Sequence, residues 1–242
     1  MQQSNENDMQ IALLIDADNA QYKNIGLLIN RVSTFGRIII KRAYGNWTKA
    51  ALKKWDGIFN KYAIKPIHQI DYTTKKNATD IALIIDAMDF LYTSNCNCFA
   101  IVSGDSDFTP LALKIRETGS LVIGVGLKNT SKSFINACDT FIDLNEIEDN
   151  KGEPEQVKRL TERERELIAL FRTAAETWQD DDGFTDLGNA GNYIKRVNPD
   201  FSIKDYGVSK FSALVEKYRN FFDTREIKSK GGGSIIQYRM LV

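Results

Sequence analysis

Histidine, cysteine and long apolar runs are all scarce in this sequence, and each scarcity excludes a kind of chemistry. A single histidine, His68, stands in 242 residues, which rules out a nuclease built on two histidines as acid and base. The three cysteines, Cys96, Cys98 and Cys138, cannot all pair, an odd number that suits a reducing cytoplasm. Cys96-Asn97-Cys98 lacks the two further soft ligands that a zinc site needs. The longest apolar runs, such as Ile11–Ile15 and Ile81–Ile85, are far too short to span a bilayer. Met1–Gln10 is polar and carries no apolar core of signal-peptide type. No GxxxxGK[ST] motif is present, which argues against nucleoside-triphosphate hydrolysis of that kind. Gly124-Val125-Gly126 lacks a third glycine and opens no good helix, so it reads as a strand end.

What is there is an ordinary soluble composition, 43% hydrophobic and 26% charged. Net charge is zero, so a polybasic nucleic-acid coat protein is excluded, and the distribution of charge is more informative. Residues 183–242 hold ten Lys/Arg against six Asp/Glu, whereas the first 150 hold sixteen against seventeen. A mildly basic C-terminal unit follows a unit with clustered acids.

Periodicity predicts alternating strands and helices through the first 145 residues. Strands are expected at Gln10–Ile15, Arg37–Lys41, Pro66–Ile70, Phe99–Val102 and Leu121–Val125. Helices are expected at Lys23–Phe35, Lys49–Tyr62, Thr79–Leu91 and Asp107–Thr118, with Thr109-Pro110 as cap and first-turn pair. A short helix and a last strand are expected within Phe134–Ile142. Such alternation implies a doubly wound parallel sheet covered by helices on both faces. The polar stretch 148–156 (EDNKGEPEQ at 148–156) reads as a linker between a domain at 1–147 and a second at 157–242. Beyond it, helices are expected at Gln156–Trp178 and near Asp186–Val197 and Val208–Tyr218. Strands around Phe221–Ile227 and Ser234–Met240 would follow, joined at Gly231-Gly232-Gly233. Helices followed by a β-hairpin are the layout of a winged helix.

Three acidic motifs fall just beyond predicted strand ends or at a helix start, where a parallel sheet places its chemistry. They are Asp16-Ala17-Asp18-Asn19, Ser103-Gly104-Asp105-Ser106-Asp107, and Asp80 at the head of a helix after Lys75-Lys76-Asn77. Carboxylates converging on one edge repel each other unless cations neutralise them. Mg²⁺ or Mn²⁺ is the natural partner, since hard cations take oxygen ligands and can activate water for phosphodiester hydrolysis. Each acid also has a structural reading: Asp16 as a turn residue, Asp18 and Asp107 as helix caps, Asp80 as a first-turn acid. Asn19 orients Asp16 or only shapes the turn. Asp86, inside an apolar helix, needs a buried partner and reads as structural.

The stretches ALLIDADN at 12–19, KNATDIALIIDAM at 76–88 and IVSGDSDFTPL at 101–111, in that order, resemble the NYN domain. This is a branch of the PIN-like nucleases, and the chain is similar to its LabA-like bacterial form over roughly residues 8–147. The resemblance implies a doubly wound sheet, an acidic metal site and ribonuclease activity. It places the family's acids on Asp16, Asp80, Asp105 and Asp107, with Asn19 as the motif asparagine. Residues 183–218 (GFTDLGNAGNYIKRVNPDFSIKDYGVSKFSALVEKY) and the hairpin ending near Met240 resemble an OST-HTH, or LOTUS, domain. That likeness implies a winged helix that binds RNA, including structured and G-rich forms.

Cations near the acidic motifs, Lys41, Arg42, Lys49, Lys53, Lys54, Lys75, Lys76, Lys128 and Lys132, are candidates for phosphate contacts. Of these, Lys75 and Lys76 directly precede Asp80, while Lys53 and Lys54 read better as a solvated helix face. Tyr44 and Trp47 read either as core or as stacking platforms for unpaired bases. In the C-terminal unit the candidates are Lys195, Arg196, Lys204, Lys210, Lys217, Arg225, Lys228 and Lys230. The alternating charges of KRLTERERE at 158–166 read as a solvated face, with a homo-oligomer interface as the sharper alternative.

The expected function is therefore Mg²⁺- or Mn²⁺-dependent hydrolysis of RNA, single-stranded or structured, in the cytoplasm and without a membrane partner. A catalytically inactive RNA-binding adaptor is the alternative. Asp16-Ala17-Asp18 and Gly104-Asp105-Ser106 are also similar to haloacid-dehalogenase-type phosphatases. Asn19-Ala20 replaces the Gly-Thr continuation of those enzymes, and Thr109 stands where a late aspartate is needed.

Overall fold

A computed structural model of the chain describes residues 9–20, 24–70, 77–145, 157, 160–228 and 234–241. Two compact units divide it, Met1–Asn150 and Lys151–Val242. The linker expected at 148–156, the hairpin tip Gly231–Gly233 and the phosphate-contact candidates Lys75, Lys76 and Lys230 lie outside the described residues.

In the first unit the order is β1 (Gln10–Asp16), α1 (Ile25–Val32), β2 (Arg37–Gly45), α2 (Trp55–Tyr62), β3 (Lys65–His68) and α3 (Ala78–Thr93). It continues with β4 (Cys98–Val102), α4 (Thr109–Glu117), β5 (Leu121–Gly126), α5 (Lys132–Ala137) and β6 (Thr140–Asp143). Among the described residues six parallel strands form one sheet in the order β3-β2-β1-β4-β5-β6. Central strands buried on both faces need apolar side chains on both, which is why Ile11–Ile15 is an unbroken apolar run. Ile11, Leu13 and Ile15 enter a core with α1 and α2 on one face, while Ala12 and Leu14 join α3, α4 and α5 on the other. The strand order reverses between β1 and β4, so their carboxyl ends flank a crevice.

Helix α3 is apolar on nearly every side but is buried on only one. It buries Leu83, Ala87 and Phe90, but Ile81 and Ile85 are 56% and 61% exposed, because the sheet covers only one side of it. Asp86 has the partners its position demands: Arg42 Nη1 at 2.5 Å and the Tyr44 hydroxyl at 2.7 Å. Arg42 also lies over the Phe90 ring at 4.4 Å, and Lys41 donates to the Tyr62 carbonyl at 2.7 Å. Those two cations, expected at the acidic rim, are held by the fold. Tyr44 is fully buried, and Trp47 packs on Trp55 and Phe59, so the core reading of both aromatics is the one realised.

The second unit runs α6 (Glu162–Trp178), β7 (Thr185–Asp186), α7 (Leu187–Val197), α8 (Phe211–Lys217), β8 (Phe222–Lys228) and β9 (Ser234–Met240). Its described strands form an antiparallel sheet in the order β7-β9-β8. Helix α6 begins later than the charge pattern suggests. Thr161 caps the backbone of Glu164, whose side chain reaches back to the cap, a capping box that satisfies two otherwise unpaired donors. The T-x-x-E spacing is legible in the sequence, and the run of charges before it obscures it. Phe171, fully buried, meets Phe211, Phe222 and Tyr238 at the centre of this unit. On α7, Gly191 leaves room for the Phe211 ring, which an added Cβ would meet at 3.2 Å.

Candidate functional site

The crevice between the ends of β1 and β4 collects acids from three chain segments. Asp16 ends β1 and is 0% exposed. Its Oδ2 accepts from Asn19 Nδ2 at 2.6 Å and from Ser103 Oγ at 2.9 Å, and its Oδ1 accepts from the Asp18 N–H at 3.2 Å. Burial raises its pKa, and the neighbouring Asp18 charge adds to this, against the lowering effect of those hydrogen bonds. Ser103 also accepts from the Asp105 N–H at 3.2 Å, so one hydroxyl fastens the segment after β4 to the end of β1.

Beyond β4 the backbone makes a short 3₁₀ turn, Ser106–Phe108, before α4. Asp105, not Asp107, caps it, accepting from the Asp107 N–H at 2.9 Å. The Asp107 carboxylate instead accepts from Asn77 Nδ2 at 2.8 Å. Thr109 is likewise no cap: α4 follows Phe108, which makes no side-chain cap, and Pro110 occupies the first turn. Asn77 stands at the N-cap position of α3 yet makes no cap bond there, which ties the start of α3 to the turn after β4. Thr79 and Lys49 both reach Asp18 at 3.4 Å.

Asp80 registers the convergence electrostatically. Its pKa rises to about 6, first through desolvation and then through repulsion from Asp16, Asp105, Asp107 and Asp18. Because this exceeds the ordinary 3.8, the folded metal-free chain holds a proton there that the unfolded chain has already released. Stability should therefore fall as pH rises from about 4 to about 6, and stay at the lower level above that. Full burial would make the difference worth about 3 kcal/mol; at this half-buried group screening reduces it to about 1 kcal/mol. Asp80→Asn should flatten that slope and raise stability at pH 7 by about 1 kcal/mol, read by urea denaturation at several pH values in EDTA. An unchanged slope would show that the fold does not raise the Asp80 pKa.

The donor set is all hard oxygen, which fits Mg²⁺ or Mn²⁺. Among the described residues, no three His, Cys, Asp or Glu side chains are gathered into a ready coordination shell. Mg²⁺ commonly uses one or two carboxylates and keeps several waters, so an open acidic crevice of this kind suits it better than a closed cage.

Sequence reasoning placed Asp16, Asn19, Asp80, Asp105 and Asp107 at one rim, and the structure brings them together. It missed Ser103, Asn77 and Thr79. Ser103 opens the acidic motif 103–107, whereas nothing local distinguishes Asn77 from an ordinary helix cap. Around the crevice Lys128 and Lys132 are exposed. In the second unit Lys195, Lys204, Lys210 and Lys228 are exposed, while Arg196 is half-buried. Burial lowers the pKa of Arg196, and its guanidinium lies 6.0 Å from the Tyr193 ring centre. Arg225 is bound to Asp180 and Asp182 and covers Phe184, and Lys217 donates to the Tyr206 carbonyl at 2.7 Å; both are structural ties. Among the described residues no helix is long and apolar enough to cross a membrane.

An uncharacterized protein of Methanocaldococcus jannaschii is 30% identical over 142 residues, which span 57% of this chain and 56% of that relative. A Vibrio parahaemolyticus protein of unknown function matches at 19% identity and TM-score 0.48, over 60% of this chain and 98% of its own. An uncharacterized Nitrosomonas europaea protein matches at 33% identity and TM-score 0.28, over 37% of this chain and 80% of its own. The NYN domain matches residues 10–145 and the OST-HTH/LOTUS domain residues 158–233. The chain belongs to the NYN domain family, PIN-like nuclease-type domains, and continues into an OST-HTH/LOTUS domain.

Proposed function

We propose that the protein is a metal-dependent ribonuclease whose OST-HTH/LOTUS domain recruits RNA. One observation carries this reading: carboxylates from three separate segments converge at the strand-order reversal, closely enough that four of them add to the rise that burial gives the pKa of Asp80. Asp16, Asp80, Asp105 and Asp107 would hold Mg²⁺ or Mn²⁺. When bound, such an ion activates water and neutralises charge on the phosphodiester being hydrolysed. Asn19 and Ser103 hold the Asp16 carboxylate in one orientation through their bonds to its Oδ2. Asn77 and the turn after β4 fix Asp107 and Asp105. Lys128 and Lys132 on the first unit, and Lys195, Lys204, Lys210 and Lys228 on the second, supply phosphate contacts that position a strand without reading its sequence.

The test is incubation of 5′-labelled single-stranded and G-rich RNA with the full chain in Mg²⁺, Mn²⁺ or EDTA. Cleavage in metal and none in EDTA is expected. Binding without cleavage under every condition would make the protein an RNA-binding adaptor.

A further inference from the structure

Beside the acids lies a cavity of about 420 Å³, walled by the loops that follow β1, β4 and β5. Its size falls in the range of small-molecule sites. The lining is mostly uncharged and mixed: Asn19, Ser103, Asn129 and Thr130 offer polar groups, while Val125 and Leu127 give apolar walls. It contains no lysine or arginine and has one carboxylate, Asp105, so a phosphate group would be repelled rather than held.

Thr130 is the unusual member. It is 6% exposed, and its hydroxyl is buried with no hydrogen-bond partner. Buried hydroxyls are ordinarily satisfied, because leaving one unpaired costs stability. Two glycines make room for it: a Cβ on Gly126 would meet the Thr130 hydroxyl at 2.4 Å, and one on Gly104 would touch it at 3.4 Å. Both glycines also line the cavity. An unspent hydrogen-bonding group on a residue lining a largely uncharged, nucleoside-sized space next to the acids is better suited to a ligand than to the fold.

We propose that this cavity is a nucleoside subsite, receiving the unpaired base and ribose of the nucleotide next to the phosphodiester that is cut. The proposal rests on the ribonuclease reading for which bond is cut, but not for what the cavity binds. Single-stranded RNA offers unstacked bases and 2′-hydroxyls that such groups recognise. A pocket built to pair with a polar group discriminates strongly once its own partner is lost.

The experiment is titration of the full chain with adenosine, guanosine, cytidine and uridine 5′-monophosphates in Mg²⁺, followed by saturation-transfer NMR. Inorganic phosphate is the comparator. At least one nucleotide should bind where phosphate does not. Thr130→Val should weaken that binding about tenfold, and Thr130→Ser should restore it. Without ligand, Thr130→Val should melt about 2–4 °C higher, since it removes an unpaired buried hydroxyl. Gly104→Val, whose side chain would start 3.4 Å from the hydroxyl and fill the space beside it, should abolish binding by occlusion. No nucleotide binding, or binding indifferent to both variants, overturns the subsite. RNA cleavage is scored separately. Cutting with the same site preference in wild type and Thr130→Val keeps the nuclease and removes the subsite. Variant-sensitive nucleotide binding in a chain that does not cut keeps the subsite and removes the nuclease.

Discussion

Asp105→Asn should lower the rate of RNA cleavage about 10³-fold, roughly 4 kcal/mol of transition-state stabilisation, and leave RNA affinity unchanged. The substitution isolates charge from structure. Asparagine keeps the side-chain oxygen that accepts from the Asp107 N–H, so the turn after β4 retains its cap. What is lost is one hard, negative ligand of the proposed metal centre. Asp16→Asn should lose as much activity, but at a cost in stability. Asp16 is fully buried and accepts from three donors, and an amide would turn a further donor toward them. The comparison to make is single-turnover cleavage against filter binding of the same RNA, with thermal melting as the control. Equal cleavage by wild type and Asp105→Asn would remove the acids from catalysis.

Phe171→Ala should cost the second unit about 3–5 kcal/mol, comparable to the whole stability of a small domain. The ring is fully buried and contacts Phe211, Phe222 and Tyr238, which come from α8, β8 and β9. Its backbone carbonyl also accepts from the Tyr238 hydroxyl at 2.7 Å. A single truncation therefore opens a cavity where three elements meet. Hydrogen exchange should show protection lost across α6, α7 and β9 but kept in β1 and β4, because each unit has its own core. Cleavage of short RNA should survive, while tight binding of longer RNA should not. Protection lost in both units together would mean that the two do not fold separately.

Much of the fold was legible in residue order. The apolar run Ile11–Ile15 announced a central strand, and its alternation with amphipathic helices announced the layers. Helix limits were less legible. The start of α6 was hidden by charges ahead of Thr161, and all but the first residue of the turn Ser106–Phe108 was absorbed into one expected helix. In both places the local pattern is helical throughout, and only cap geometry decides where the hydrogen-bonded turns begin. The cations were the poorest guide. Lys41, Arg42 and Arg225 are spaced like surface phosphate contacts, yet each found a carbonyl or carboxylate partner within the fold.

By itself, the sequence determined which residues are candidates for chemistry. One histidine excludes imidazole pairs, three acidic motifs lie beyond strands or at a helix start, and basic charge is concentrated after residue 183. Tertiary structure alone decided how those residues are tied and what adjoins them. Ser103 and Asn77 join segments 87 and 30 residues apart along the chain, and such contacts leave no local periodicity to read. The Thr130 hydroxyl likewise becomes unusual only when Gly104, after β4, and Gly126, at the end of β5, close around it. Burial, repulsion and an unpaired donor are properties of neighbours in space, and the order of the chain does not state who those neighbours are.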